Sequence, residues 1–185
     1  MENKTPEDIK PYMSKIEIDK LVEHIKLLPK NSVIIEWGSG GTTIELLKNL
    51  RKDQSMISIE HDKTWFDLVS NKTKLFKNHT YFHKPETNFI RTIGHPEEEN
   101  PAGLNDYILP NETILNANMF IIDGLARVTI ALMLLAKAKK DSVIFIHDYV
   151  GREQYYDLLP KLFKIEKLED SHIGNQKTLT KLYIK

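Results

Sequence analysis

Apolar residues along the chain fall into two patterns. Short, nearly unbroken runs occur at Ser32 to Trp37, Met56 to Glu60, Asn118 to Asp123 (with Met119-Phe120-Ile121-Ile122) and Ser142 to Tyr149. Their length and their β-branched and aromatic content suit strands buried on both faces. Between them lie stretches where apolar residues recur every three or four positions: Ile16 to Leu28, Thr42 to Leu50, Lys63 to Phe76, Ala126 to Lys139 and Arg152 to Phe163. These spacings predict helices. Thr80 to His83 predicts a weaker strand, and Lys164 to Glu169 with Thr178 to Ile184 a closing pair. Strands alternating with helices of this length predict crossover units. The expected fold class is α/β: a doubly wound, mainly parallel seven-stranded sheet with an antiparallel last strand and helices on both faces.

One stretch breaks the alternation. Pro85 to Thr113 is polar, contains prolines and is too long for an ordinary connection, so a lid or substrate loop is expected over residues 85–113. Asn88, Asn105, Asp106 and Tyr107 are its candidate contacts, and Glu97-Glu98-Glu99 reads as a solvated face. The 185 residues otherwise fit a single domain, 1–185, with a polar leader over 1–15.

Composition narrows the function classes. The absence of cysteine removes disulfides, thiolate nucleophiles and cysteine-based zinc sites. Twenty-six basic residues balance 26 acidic ones, so no excess positive charge points to a nucleic-acid partner. No apolar run approaches the length needed to span a bilayer, and the leader lacks the apolar core of a signal peptide. The expectation is a cytoplasmic protein without a membrane partner.

The candidate chemistry begins at Glu36-Trp37-Gly38-Ser39-Gly40-Gly41-Thr42-Thr43. Glycines between a buried strand and a helix allow a tight turn and close approach of a ligand to backbone amides. Glu60, with His61 after it, ends the second strand, where nucleotide-binding domains place the acid that grips ribose hydroxyls. Glu36 would repel a pyrophosphate but suit a cationic amino group, and Thr43 stands where a dinucleotide fingerprint places its third glycine. Both points favour S-adenosylmethionine over NAD.

Glu36-Trp37-Gly38-Ser39-Gly40 resembles the acid-x-Gly-x-Gly motif of class I S-adenosylmethionine-dependent methyltransferases, which have a Rossmann-like fold. The resemblance implies that Glu36, Gly38, Ser39, Gly40, Glu60 and His61 bind S-adenosyl-L-methionine. It also implies that Asp123 lies beside the methionine moiety. Ile122-Asp123-Gly124-Leu125-Ala126-Arg127-Val128 and His147-Asp148-Tyr149, with Arg152 and Tyr155, look like a group of small methyltransferase-like proteins. Some of their relatives act on sugars or polysaccharides. Where many family members have an acid that meets the adenine amino group, this chain has His83-Lys84-Pro85-Glu86, with Glu86 the nearby candidate.

Asp123, His147 and Asp148 all fall at carboxyl ends of strands, where open α/β sheets bind ligands. A neutral His147 beside Asp148 would be the general base for an oxygen acceptor. Asp123 and Asp148 could instead serve a divalent metal, but a third clear carboxylate is missing. Arg127 and Arg152 start helices, where a cation opposes the dipole. They are candidates for an anionic substrate group or for internal pairing, and Tyr107 is a third substrate contact. The expected function is O-methylation of a small molecule or glycan. The other readings are an NAD-dependent oxidoreductase and a non-catalytic binding module.

Overall fold

The computed structural model of the chain describes residues 9–86, 101–109, 116–149, 157–168 and 179–184. In chain order the elements are α1 (Lys15–Leu27), β1 (Val33–Trp37), α2 (Gly41–Asn49), β2 (Ser55–Glu60), α3 (Lys63–Thr73) and β3 (His79–His83). A 3-10 turn (Pro101–Leu104) then leads into α4 (Asn105–Ile108), followed by β4 (Met119–Ile122), α5 (Arg127–Lys137), β5 (Val143–Ile146), α6 (Leu159–Leu162), β6 (Phe163–Lys167) and β7 (Thr180–Ile184). The strands form one sheet in the order β3-β2-β1-β4-β5-β7-β6. β1 runs parallel to β2 and β4, β2 to β3, and β4 to β5. The last strand, β7, is antiparallel to both of its neighbours. This is the Rossmann-like doubly wound sheet that the alternating pattern predicts.

Both faces of the central strands are covered, which explains their unbroken apolar runs. Ile34, Met119, Ile121 and Phe145 pack under α1 and α2, against Leu21, Ile25, Leu46 and Leu47. Their sequence neighbours Ile35, Phe120, Ile122, Ile144 and Ile146 point the other way, toward α4 and α5. Successive strand residues leave opposite faces, and complete burial of each such side chain stabilises the fold by about 1.5–3 kcal/mol.

α1 begins with a capping box. The Glu17 amide donates to Ser14 Oγ at 3.2 Å, and the Ser14 amide donates to Glu17 Oε2 at 2.8 Å. At its other end, the Arg51 guanidinium donates to the carbonyls of Lys26, Leu28 and Pro29, satisfying oxygens that a helix terminus leaves open.

Within the long segment expected to be a lid, residues 101–109 are described, and they belong partly to the core. Leu104, Tyr107 and Ile108 join the cluster of Ile35 and Trp37. The Trp37 indole Nε1 donates to the Tyr107 carbonyl at 2.8 Å. Asn88, Glu97 to Glu99, Arg152 and Tyr155 lie outside the described residues, as do residues 152–156 of the helix expected from Arg152 to Phe163. The rest of that stretch is helical only over Leu159–Leu162, and Phe163 already opens β6. The chain leaves β1 toward β2 on one side and returns through β4 on the other. This reversal opens a crevice at the carboxyl ends of β1 and β4, where ligands of such sheets bind.

Candidate active site

At the end of β1 the backbone turns into α2 through Gly38, Ser39 and Gly40. Gly38 has φ +82, and a Cβ there would lie 2.6 Å from the Gly124 amide nitrogen. Conformation and close packing against the peptide after Asp123 both exclude a side chain. Gly124 is closed from the opposite side, because a Cβ on it would collide with the Tyr107 hydroxyl. Gly40 differs. Its φ of 177 is extended, and a Cβ would meet the Trp65 ring at 3.5 Å, an ordinary contact. The fold sets no steric demand for glycine at 40, which leaves a smooth piece of backbone facing Trp65.

Glu36 lies beneath this turn, 1% exposed. Its Oε2 accepts from Thr43 Oγ1 at 2.7 Å and from Ser58 Oγ at 2.8 Å, while Thr43 Oγ1 accepts from the Gly40 amide at 2.8 Å. Burial, reinforced by the charges of Asp123 and Glu60, pushes the Glu36 carboxyl up to about 8 despite these donors. It is therefore largely protonated at neutral pH and braces the turn.

Glu60 meets the turn directly. The Ser39 amide and hydroxyl donate to its Oε2 at 2.9 and 2.8 Å. The amides of His61 and Asp62 donate to Oε1 at 2.9 and 3.0 Å. Burial alone would raise its pKa, but His61 and the amides of Ser39 and Asp62 outweigh it and hold the carboxyl below its ordinary range. The His61 ring stands between two acids, with Nδ1 3.0 Å from Glu60 Oε1 and Nε2 3.6 Å from Glu86 Oε1. Burial opposes its charge, yet the two carboxylates raise its pKa overall. Trp65 Nε1 donates to the Ser39 carbonyl, and the Ser39 hydroxyl also meets that of Tyr81. The protein's own Ser39 and Trp65 thus cover the turn.

One crossover further, Asp123 follows β4 and His147-Asp148 follow β5. His147 is 2% exposed. Its Nδ1 lies 2.7 Å from Asp123 Oδ1 and 3.6 Å from Asp148 Oδ1, and its Nε2 lies 3.4 Å from Glu17 Oε1. Burial would lower its pKa, but Asp123, Glu17 and Asp148 together raise it to about 10. At neutral pH this is an imidazolium, not the neutral base expected from the sequence. Arg127 is also turned inward. Its Nε donates to the Gly124 carbonyl at 2.8 Å and its Nη1 to the His147 carbonyl at 2.9 Å, with Asp148 Oδ2 3.3 Å from Nη1. Of the two readings of Arg127 from the sequence, these contacts are those of internal pairing.

Among the described residues, one group brings potential metal-ligand atoms within 4.8 Å of one another: Asp123, His147 and Asp148. In this arrangement the His147 ring faces Asp123 and the Arg127 guanidinium faces Asp148. Asp123 keeps 24% of its side chain exposed, whereas Tyr107 is fully buried with its hydroxyl accepting from the Leu125 amide at 3.3 Å. The fold therefore gathers Glu36, Gly38, Ser39, Gly40, Glu60, His61, Asp123, Tyr107, Arg127, His147 and Asp148 along one edge. Arg152 lies outside the described residues. The sequence reading missed Trp65 and Glu17. An aromatic in a helix's first turn carries no signal of what it covers, and Ser14-x-x-Glu17 is fully explained as a cap.

No protein-family model matches the chain, and no curated protein does. Solved structures do. The O-methyltransferase from Bacillus cereus in complex with SAH superposes with a TM-score of 0.71 at 14% identity, covering 95% of this chain and 84% of that one. A methyltransferase-like protein from Silicibacter pomeroyi gives 0.68 at 16% identity, covering 96% and 90%. The O-methyltransferase TomG from Streptomyces achromogenes, in complex with SAM, gives 0.64 at 13% identity, covering 94% and 81%. At these identities the likeness establishes the fold, which is that of class I S-adenosylmethionine-dependent methyltransferases.

Proposed function

We propose that the chain is an S-adenosylmethionine-dependent methyltransferase acting on an oxygen acceptor of a small molecule or glycan. The observation that carries this reading is the junction of turn and acid: the Ser39 amide reaches the buried Glu60 carboxylate at 2.9 Å. A carboxylate there can accept both ribose hydroxyls, with the Ser39 hydroxyl as the donor that yields its place. Gly40 admits close approach once the Trp65 ring gives way. Glu86, one imidazole away from Glu60, takes the role of the acid that meets the adenine amino group. Asp123, partly exposed at the switch point, faces the methionine end. The cofactor supplies an electrophilic methyl group for in-line displacement, so the protein's work is orientation.

In this reading His147 is a cation that fixes Asp123, and Arg127 is a brace. Tyr107 closes the site from the α4 side, and Arg152 is the candidate contact to the acceptor. A membrane-embedded role draws no support from the helices, since none among the described residues is long and apolar enough to cross a bilayer.

Thermal melts with S-adenosylmethionine, S-adenosylhomocysteine or NAD added separately test the proposal. A ligand at 100 times its dissociation constant stabilises the native state by about 2.7 kcal/mol. The adenosyl ligands are expected to raise Tm by several degrees, and Glu60→Ala to lose most of that response. A rise with NAD alone would overturn the assignment, and an undiminished response in Glu60→Ala would overturn the pose.

A further inference from the structure

Glu17 is spent on more than its helix. A capping-box glutamate ordinarily gives one carboxylate oxygen to the N-cap amide and leaves the other in water. Here the residue is 2% exposed. Oε2 serves the Ser14 amide, while Oε1 has no hydrogen-bond partner and points at His147 Nε2, 3.4 Å away and likewise without one. The far nitrogen of the same ring is held by Asp123 at 2.7 Å. One imidazole thus spans two carboxylates carried by elements distant in sequence: the first turn of α1 and the end of β4. A buried carboxylate facing an unpaired ring nitrogen is costly unless the ring carries charge, so the geometry itself calls for an imidazolium.

The residues before α1 extend the connection. Met13 is buried, and the backbone at Lys10 and Pro11 packs so tightly on Gly41 that no Cβ fits there. The start of α1 therefore touches the start of α2 through its leader and the strand-end cluster through Glu17.

We infer that Glu17 is a positioning residue of the proposed methyl-donor site, holding the His147 ring from the side opposite Asp123 so that the Asp123 carboxylate is fixed in its orientation. This rests on the reading of Asp123 as the partner of the methionine end. The charged groups around His147 are Glu17 from α1, Asp123 after β4, Asp148 beside it in the chain, and Arg127 at the start of α5. Without the Glu17 charge, His147 loses its proton nearer neutrality and Asp123 loses the cation that anchors it. Glu17 acts through His147 and touches no reacting atom.

Glu17→Gln separates this role from capping, because glutamine at the same position still accepts from the Ser14 amide. Ser14→Ala is the complementary variant: it weakens the cap and keeps the carboxylate. The first measurement is the ring titration of His147 by nitrogen-15 NMR in the full chain, assigned with His147→Gln. The ring is expected to stay doubly protonated at pH 8 in the parent and in Ser14→Ala. In Glu17→Gln its proton affinity is expected to fall by about tenfold or more, a downward shift of at least one pH unit.

The second measurement is S-adenosylhomocysteine binding at pH 6.5 and pH 9. Glu36 and His61 titrate in all three proteins, so the readout is the difference between profiles. The loss of affinity from pH 6.5 to pH 9 is expected to be about fivefold greater in Glu17→Gln than in the parent, with Ser14→Ala following the parent. An unchanged ring titration in Glu17→Gln, or three identical binding profiles, would overturn the inference. So would a magnesium-induced shift of the His147 ring signals, which would make the ring part of a metal site. If the parent takes up no S-adenosylhomocysteine, the methyl-donor reading fails, and the ring titration still decides whether Glu17 controls His147.

Discussion

Gly38 and Gly40 sit two residues apart, and their substitution has different consequences. Gly38→Ala forces an L side chain into φ +82 and against the Gly124 backbone. The conformation alone costs roughly 1–2 kcal/mol, so a clear drop in Tm is expected with or without ligand. Gly40→Ala adds only ordinary contact with Trp65. Its stability should stay within about 1 kcal/mol of the parent, while calorimetry should find S-adenosylhomocysteine affinity reduced about tenfold or more, equal to about 1.4 kcal/mol. Unchanged affinity would place the ligand elsewhere. The acids at 36, 60 and 123 were legible in the sequence because each ends or nearly ends a strand. Their ionisation was not. The protonation of Glu36 and the charge on His147 come from burial and from neighbours brought in by other elements, such as Glu17, which lies far from His147 in sequence.

At the scale of elements, legibility followed length. The central strands and the helices over residues 15–27, 41–49, 63–73 and 127–137 lie within a few residues of their expected bounds, because each carries a full period of its pattern. α4 did not show, since Leu104, Tyr107 and Ile108 make a single helical turn within a polar stretch, too brief for periodicity to register. Their burial gives the 85–113 segment a core anchor that its composition does not advertise. α1 offers the sharpest test at this scale. Ser14→Ala removes one half of the capping box and is expected to cost about 1 kcal/mol, or about 2–4 °C in Tm for a chain of this length. A loss much larger than this would mean that the cap supports more than α1.

For the whole molecule, three raised pKa values point the same way. His147, raised from 6.5 to about 10, contributes stability that is complete below pH 6.5 and lost as pH climbs toward 10. Glu36, raised from 4.5 to about 8, keeps its proton longer folded than unfolded, so stability also declines as pH rises between those values. His61 is raised as well. Glu17 and Glu60, both lowered, contribute stability above 4.5 that is lost only as pH falls below that value. Melting temperature is therefore expected to fall steadily from pH 6.5 to pH 9.5, with a shallower slope below pH 8 in Glu36→Gln; a rising curve would contradict the charge states described. The two indoles add an optical consequence. The chain has two tryptophans: Trp37 is sealed in the core, and Trp65 lies against Gly40 at the mouth of the turn. Any guest that seats there must change the surroundings of one emitter and spare the other, so the unlabelled protein carries its own fluorescent gauge of occupancy.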